Sequence, residues 1–245
     1  MNLKSKINLF SIIVSLLFFA ACTKEDTSGS LTIKASANLI STKSASNIVE
    51  VQLDKFKLNI EKIELEYDDD HLENNNDSDH DDDLYEDLYE EAEFYGPFEL
   101  DLLNGANEVT IANASVPFDT FEEIEFDLAK GNDTASEMLD KSILAEGTID
   151  GVPFVFWHDI HEEFEVDYPN ASQDFSVTGN GESIIINFNL DRVFGITSTI
   201  DFSTAIDGNN DGVIEIYPGD PDGNSQLAHS IKELISENTE LGDDD

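Results

Sequence analysis

Basic residues are scarce in this chain: 12 Lys and Arg stand against 54 Asp and Glu, for a formal net charge of −42. Proteins bind nucleic acids and anionic lipid surfaces mainly through Lys and Arg that neutralise phosphates. The charge balance therefore excludes nucleic acid as a partner and leaves cations, or polymers bridged by cations, as attracted species. The chain also has a single cysteine, Cys22, which excludes an internal disulfide.

Common catalytic signatures are missing as well. The sequence holds no G-x-S-x-G nucleophile elbow, no H-E-x-x-H zinc motif and no phosphate-binding P-loop. Carboxylates are so numerous that no pair is singled out for glycoside hydrolysis. The sequence therefore favours a protein that is not an enzyme.

The N-terminus has the pattern of a secretory signal. "MNLKSK" carries Lys4 and Lys6, and a mainly apolar run covers residues 7–21. This run is too short for a membrane-spanning helix. The last residues, "FAAC", resemble the lipobox of bacterial lipoproteins. The resemblance implies that residues 1–21 are a signal peptide and that Cys22 is lipidated, which anchors the protein in a membrane; the alternative is a stray thiol.

The residues after Cys22 read as a tether. "TKEDTSGS" resembles the lysine-plus-acid export signal of Bacteroidetes-type lipoproteins that reach the outer face of the outer membrane. Residues 22–30 are therefore predicted to be a flexible linker, with the protein facing the cell exterior. The alternative is a plain polar tether on the periplasmic side.

Alternation of apolar and polar residues is the main signal in residues 31–205. Such period-two patterns indicate half-buried strands, and turns such as "NG", "KGND" and "GNG" separate them, so we predict an antiparallel β-sandwich. Within residues 49–67 the phase slips twice, which predicts bulges. The alternating positions include Val49, Val51, Leu53, Phe56, Leu58, Ile60, Ile63, Leu65, Tyr67, Phe98, Leu100, Leu102, Ile124, Phe126, Leu128, Ile184, Ile186, Phe188 and Leu190.

Two regions break this pattern. Residues 68–93 are almost wholly acidic and amidic, which indicates a self-repelling loop insertion; a loose cation-collecting role is the alternative. Residues 206–245 contain a turn-rich segment and then a predicted amphipathic helix, with "GDDD" as a frayed end. Its apolar stripe consists of Leu227, Ile231, Leu234 and Ile235.

A family resemblance rests on the order of several strand patterns. "VQLDKFKLNIEKIEL", "GPFELDLLNGANEV", "VPFDTFEEIEFDL", "AEGTIDGVPFVF" and "DFSVTGNGESIIINFNLDRVF" resemble the family catalogued as domain of unknown function 4382, common in lipoproteins of Bacteroidetes. The resemblance covers roughly residues 30–205. It implies an all-β sandwich of immunoglobulin-like or transthyretin-like type and supplies no catalytic residues. The acidic insertion and the C-terminal extension depart from the family.

The sharpest chemical signal is "DGNNDGVIEIYPGDPDGN", residues 207–224. Oxygen donors recur at every second position as in the first half of an EF-hand or dockerin loop, and Gly212 stands where that loop turns. Pro218 occupies the twelfth position, so another carboxylate has to close a Ca²⁺ site. The predicted ligands are Asp207, Asn209, Asp211, the carbonyl of Val213, Glu215, and Asp220 or Asp222 in place of the closing residue. The alternative is a turn-rich linker in which Asp and Gly serve backbone geometry alone.

Two further motifs contain residue types that bind metals or accept glycans. His158, Asp159, His161 and Glu162 are types that ligate zinc, but strand alternation points positions 158 and 161 to opposite faces. Thr134 lies in "DTA", which resembles the short O-glycosylation motif of exported Bacteroidetes proteins, and it is the predicted acceptor. The alternative for Thr134 is an unmodified polar loop.

These patterns together predict a lipid-anchored, non-enzymatic surface module that binds or displays something. Its partners are the outer membrane, through the anchor, and an extracellular glycan or protein. Two other functions fit the same patterns: a structural or accessory subunit of a surface fibre, because sandwiches donate strands readily, and an outer-membrane hydrolase, which would need a deep pocket.

Overall fold

The computed structural model describes residues 28–39, 49–67, 92–104, 108–167 and 174–243. The predictions for the signal peptide, the lipidated Cys22, most of the tether and residues 68–91 of the acidic loop lie outside the described residues. Within the described part of the chain, no helix is long and apolar enough to cross a membrane.

The described residues form twelve strands and two α-helices. The strands are β1 (Ser28–Ala37), β2 (Val51–Tyr67), β3 (Ala92–Asp101), β4 (Glu108–Pro117), β5 (Thr120–Leu128), β6 (Ile143–Ile149), β7 (Val152–His158), β8 (Glu162–Val166), β9 (Phe175–Ser176), β10 (Glu182–Phe188), β11 (Ile214–Ile216) and β12 (Thr239–Asp243). The helices are α1 (Leu190–Val193) and α2 (Ser225–Glu237).

The strands form two packed sheets, which confirms the predicted all-β sandwich. One sheet has the order β12-β10-β1-β4, and the other has the order β11-β7-β6-β2-β5-β8, with β3 on β2 and β9 on β5. Most pairs are antiparallel as predicted, but β1–β10 and β7–β11 are parallel. Parallel neighbours need a long connection between them, and each of these pairs is far apart in sequence.

The alternation of apolar and polar residues in the long strand β2 is interrupted where the strand changes register against its neighbours. Its register shifts between Leu53 and Lys55 against β6 and between Ile60 and Lys62 against β3 and β5. Each shift turns the strand so that apolar residues on both sides of it reach the core, as Ile60 and Ile63 do with no exposed surface. The predicted bulges are therefore confirmed.

Aromatic contacts join the two sheets. Phe188 of β10 lies with its ring centroid 6.1 Å from that of Phe56 and 5.9 Å from that of Phe126, both from the opposite sheet. All three side chains are fully buried. Burying one such side chain contributes roughly 1.5–3 kcal/mol, and tilted ring pairs add to that, so these contacts stabilise the packing of sheet on sheet.

The C-terminal segment completes the sandwich. β11 pairs with β7 and β12 pairs with β10, and the amide of Leu241 donates to the carbonyl of Asp167 after β8. The predicted helix is confirmed as α2, which buries Ala228, Ile231 and Ile235 against the core. The sandwich therefore continues beyond residue 205, and the predicted frayed end includes the last residues of β12.

The sandwich has two distinct ends. The end of β2 meets the start of β5, where Tyr67 and Phe121 are register partners, and the turn before β10 returns there to β1, with Gly181 N donating to Ser30 O. The chain therefore enters β1 at the end where β2 finishes. Val51 starts β2 at the opposite end, which we call the distal end; at ~3.3 Å per residue, β2 spans about 50 Å.

Candidate functional site

Loop 207–215 follows the short helical turn Phe202–Thr204 and includes the first two residues of strand β11. It lies at the distal end, because Ile214 is the register partner of Phe154 near the start of β7. Its backbone turns sharply at two positive φ angles, +62° at Asn210 and +95° at Gly212. Asn and Gly adopt this left-handed region most readily. The turn that the sequence predicts at Gly212 is therefore confirmed.

The side chains of the loop point their oxygens at its own backbone. The carboxylate of Asp207 accepts from Asp211 N at 3.1 Å and from Gly212 N at 2.9 Å. Asn209 Oδ1 accepts from Asp211 N at 2.9 Å, and Asp211 Oδ1 accepts from Val213 N at 3.0 Å. These are successive side-chain-to-backbone turns of the kind that Asp and Asn favour, and they fix the side chains of three predicted ligands against the backbone of the loop.

The amide of Asn209 lies between two of the other predicted ligands. Its Nδ2 donates to Asp211 Oδ2 at 3.2 Å and to Glu215 Oε2 at 3.0 Å. A carboxamide carries a donor and an acceptor on one planar group. Rotation of this group would therefore present an oxygen where it now presents a nitrogen between two carboxylates.

Asp220 and Asp222, the predicted substitutes for the closing residue, accept hydrogen bonds from backbone amides. Asp222 is buried, and its oxygens accept from Asn209 N at 3.0 Å and Glu215 N at 2.7 Å. Asp220 accepts from the amides of Gly223 and Asn224 just before α2. Both carboxylates therefore hold backbone groups in place, and a role for either in closing a Ca²⁺ site stays a prediction.

Asn224 also holds the backbone of the loop, and the sequence did not predict this role. We call Asp222 and Asn224 the two clamps of the loop. It is 4% exposed, its Nδ2 donates to the carbonyls of Ile206 and Glu215 at 2.8 Å each, and its Oδ1 accepts from Ile206 N at 3.1 Å. Gly208 completes the arrangement, because a Cβ there would lie 2.4 Å from the carbonyl oxygen of Asp222. The two ends of the loop are thus fixed by buried polar groups.

Glu215 links the loop to an aromatic pair on the sheet. Tyr217 OH donates to Glu215 Oε1 at 2.8 Å, and the Tyr217 ring stacks on Trp157 with centroids 4.6 Å apart. Burial and the bond to Glu215 raise the pKa of the Tyr217 phenol to about 12. Trp157 is the only tryptophan in the chain, so its fluorescence reports on the surroundings of the loop.

The densest carboxylate sets lie elsewhere. In the described ranges, two groups of three acidic ligand atoms lie within 4.8 Å of one another, Glu66/Glu123/Glu125 and Glu125/Glu163/Glu165, and loop 207–215 contributes to neither. These five residues, together with Glu64, are named the glutamate face. Acidic groups of this kind are common without any bound ion.

Strand register explains the crowding in the glutamate face. Glu64 on β2 is opposite Glu125 on β5, and Glu125 is opposite Glu165 on β8. Like charges directly opposite each other destabilise a strand pair. Burial and a hydrogen bond with Glu66 raise the pKa of Glu123 to about 7, and burial with the charge of Glu163 raises the pKa of Glu125 to about 7.

The histidines have separate neighbours. His158 ends β7 and is largely buried, which lowers its pKa, and its Nδ1 accepts from Asp159 N at 3.1 Å. His161 is exposed, with Nε2 3.4 Å from a carboxylate oxygen of Glu61 on β2. Glu162 pairs with Lys232 of α2 at 2.8 Å. The four possible zinc ligands therefore contact several different partners and do not converge on one point.

Thr134 lies on an exposed turn between β5 and β6. The turn is fixed by Asp133, whose Oδ1 accepts from Ala135 N at 2.8 Å and whose carbonyl accepts from Ser136 N at 3.0 Å. The side chain is accessible as a modification acceptor must be. Glycosylation of Thr134 stays a prediction.

Comparison of the chain with models of protein families gave no match, and searches of curated proteins and of solved structures gave none either. The resemblance to the family of unknown function 4382 and to Bacteroidetes-type lipoproteins therefore stays a prediction.

Proposed function

We propose that this protein is a non-enzymatic, lipid-anchored module that presents a binding surface away from the outer membrane, with a calcium-stabilised loop at its distal end. The observation that carries the proposal is the placement of the two ends. β1 begins a few residues after Cys22, whereas loop 207–215 and most of the exposed apolar side chains lie at the opposite end. A tethered domain of this shape holds its distal end away from its anchor.

The calcium part of the proposal rests on donor type and spacing. Asp207, Asn209, Asp211 and Glu215 offer hard oxygen ligands, and the carbonyl of Val213 adds a fifth, as Ca²⁺ prefers. The clamps formed by Asp222 and Asn224 hold both ends of the loop, so binding needs little backbone ordering. Because no bidentate carboxylate closes the loop, the expected dissociation constant is on the order of 10⁻⁴–10⁻³ M, as in extracellular modules.

Calcium is expected to raise the melting temperature of the soluble domain. An ion that binds only the folded state with a dissociation constant of about 1 mM adds about 1.4 kcal/mol at about 10 mM, or roughly 3–5 °C in a domain of this size. Thermal unfolding with and without calcium measures the shift, and Trp157 emission gives a second readout of the loop.

The matched variant is Asp207→Ala combined with Asp211→Ala, which removes two donors from exposed or half-buried positions. It should abolish the shift. Magnesium is the control ion, because so acidic a protein gains from any divalent cation and magnesium demands a tighter octahedral site. An equal shift with magnesium, or one that survives the double substitution, reduces the effect to general charge screening.

Location gives an independent test. Cys22→Ala should leave the protein unprocessed or unanchored, because lipidation needs the thiol. Intact cells should expose the wild-type protein to added protease. If the wild-type protein resists protease until the outer membrane is broken, the module faces the periplasm and the surface part of the proposal fails.

A further inference from the structure

Exposed apolar side chains concentrate at the distal end. Of the four large apolar residues that are exposed in the described chain, Val152 is 38% exposed and Ile196 and Ile206 are each 53% exposed. Val152 belongs to the strand row that also holds Val51 at the start of β2. Apolar patches on an otherwise charged surface mark interaction sites.

A groove of about 550 Å³ runs between α2 and residues 199–204. Its apolar floor consists of Ile200, Leu227 and Leu234, all half-buried. A second hollow, of about 230 Å³, shares Ile200 and Asp201 with it and extends to the exposed Ile196. The two depressions thus share residues and form one surface.

Charge on this surface has one sign. Asp201, Glu233 and Glu237 line the groove, and among the residues that the structure describes no lysine or arginine lines either depression. Glu233 contacts His229 Nε2 at 3.0 Å on the solvent side of α2. An acidic groove with an apolar floor is complementary to a segment that carries both positive and apolar side chains, and the acidic field of the whole chain draws such a segment towards it.

We propose that the groove along α2 and the adjoining hollow bind an extended segment of a partner protein in which basic and apolar residues alternate. The inference rests on the proposed function as a binding module and names its partner. The apolar residues of the segment cover Ile200, Leu227 and Leu234, and its basic residues pair with the three carboxylates. A glycan is less well matched, because no aromatic ring among the described residues lines the groove, and Phe194 and Phe202, which line the adjoining hollow, are buried.

The test uses the soluble mature domain and three labelled seven-residue peptides. One alternates lysine and leucine, the second replaces leucine by serine at the same charge, and the third replaces lysine by glutamate. Fluorescence anisotropy is expected to show saturable binding of the first peptide and at least tenfold weaker binding of the other two. Glu233→Lys with Glu237→Lys should weaken the binding of the first peptide at least tenfold. Leu234→Ser should weaken the binding of this peptide as well.

Glu61→Lys with Glu240→Lys is the control matched for net charge, because both glutamates are exposed outside the groove, on β2 and β12, and unfolding curves check that every variant is folded. Equal weakening by this control, or equal binding of the lysine–serine peptide, means attraction to net charge alone and overturns the inference. A glycan array run in parallel distinguishes failure of this inference from failure of the proposed function. If the lysine–leucine peptide does not bind and a glycan does, the protein is still a binding module but the basic, apolar partner segment is ruled out.

Discussion

Asp222→Ala is expected to lower the free energy of unfolding by about 2–4 kcal/mol when calcium is removed with a chelator. Asp222 is 5% exposed and accepts from the amides of Asn209 and Glu215. Its removal takes away the acceptor of two part-buried hydrogen bonds, and an amide left unsatisfied there costs about 1–3 kcal/mol. Urea unfolding followed by Trp157 fluorescence measures the loss, since Trp157 stacks on Tyr217 beside this loop.

Asp207→Ala is the matched comparison for Asp222→Ala. Asp207 also accepts two amides of the loop, but those amides are exposed and water can replace the carboxylate. In chelator it should therefore cost less than about 1 kcal/mol, while it removes the response to calcium. Equal losses for the two variants without calcium would mean that Asp222 is not a clamp.

The contrast between Asp207 and Asp222 shows what the sequence of the loop could reveal. The donors at 207, 209 and 211 and the turn at Gly212 are visible because they are local, within one turn of chain. The clamps are not visible, because Asp222 reaches Asn209 and Asn224 reaches Ile206 across separations of 13 and 18 residues. Both clamps stand in Asp-Gly and Gly-Asn dipeptides, whose turn chemistry alone would explain their presence.

The fold was predictable to a similar depth. Alternation in β2, β5 and β10 identified residues that are fully buried, such as Phe56, Phe126 and Ile186. Strand direction was not predictable, because parallel and antiparallel partners show the same alternation in their own sequences. β12 was missed for a related reason: "TELGD" has too few apolar residues to form a pattern, and Leu241 gains its place only from β10 and the carbonyl of Asp167.

The crowding of the glutamate face could not be predicted from the sequence either, although it affects the stability of the fold. "EEIEFDL" and "EEFEV" each look like an ordinary strand with a solvated acidic face. Only the register brings Glu125 between Glu64 and Glu165, with Lys62 as the basic residue that pairs with Glu64. Repulsion across strands is therefore a property of the assembled sheet, and proton uptake can relieve it.

Stability is accordingly expected to rise as the pH is lowered from 8 to 5.5. The pKa values of Glu123 and Glu125 are raised from 4.5 to about 7 in the folded protein, so the folded state binds more protons than the unfolded state between these values. Their contribution is fully present below pH 4.5 and is lost as the pH rises through about 7. Solvent screening of these partly exposed groups reduces it to about 1 kcal/mol each.

The charges that face these two carboxylates are Glu64, Glu66, Glu163, Glu165 and Asp167, and Lys62 lies on the neighbouring strand β2. Glu137 acts in the opposite direction, because its bonds to Lys55 and Lys57 lower its pKa. The stability that it contributes is present above the ordinary glutamate pKa and is lost on further acidification. Measurements between pH 5.5 and 8 therefore avoid this ion pair. His158, whose lowered pKa makes the folded state less stable as the pH falls below 6.5, is common to the wild type and the glutamine variant, so its contribution cancels when the two are compared.

Glu123→Gln with Glu125→Gln provides the decisive comparison. Glutamine keeps the shape of the side chain without the charge, so the double variant should be about 2 kcal/mol more stable than the wild type at pH 8 and less than about 1 kcal/mol more stable at pH 5.5, since the difference vanishes only near pH 4.5. Glu240→Gln, on the exposed edge strand β12, should leave the slope with pH unchanged. A double variant that retains the wild-type slope would place the proton uptake outside β5. In that case the crowding seen in the register is already relieved by solvent and does not govern the stability of the sandwich.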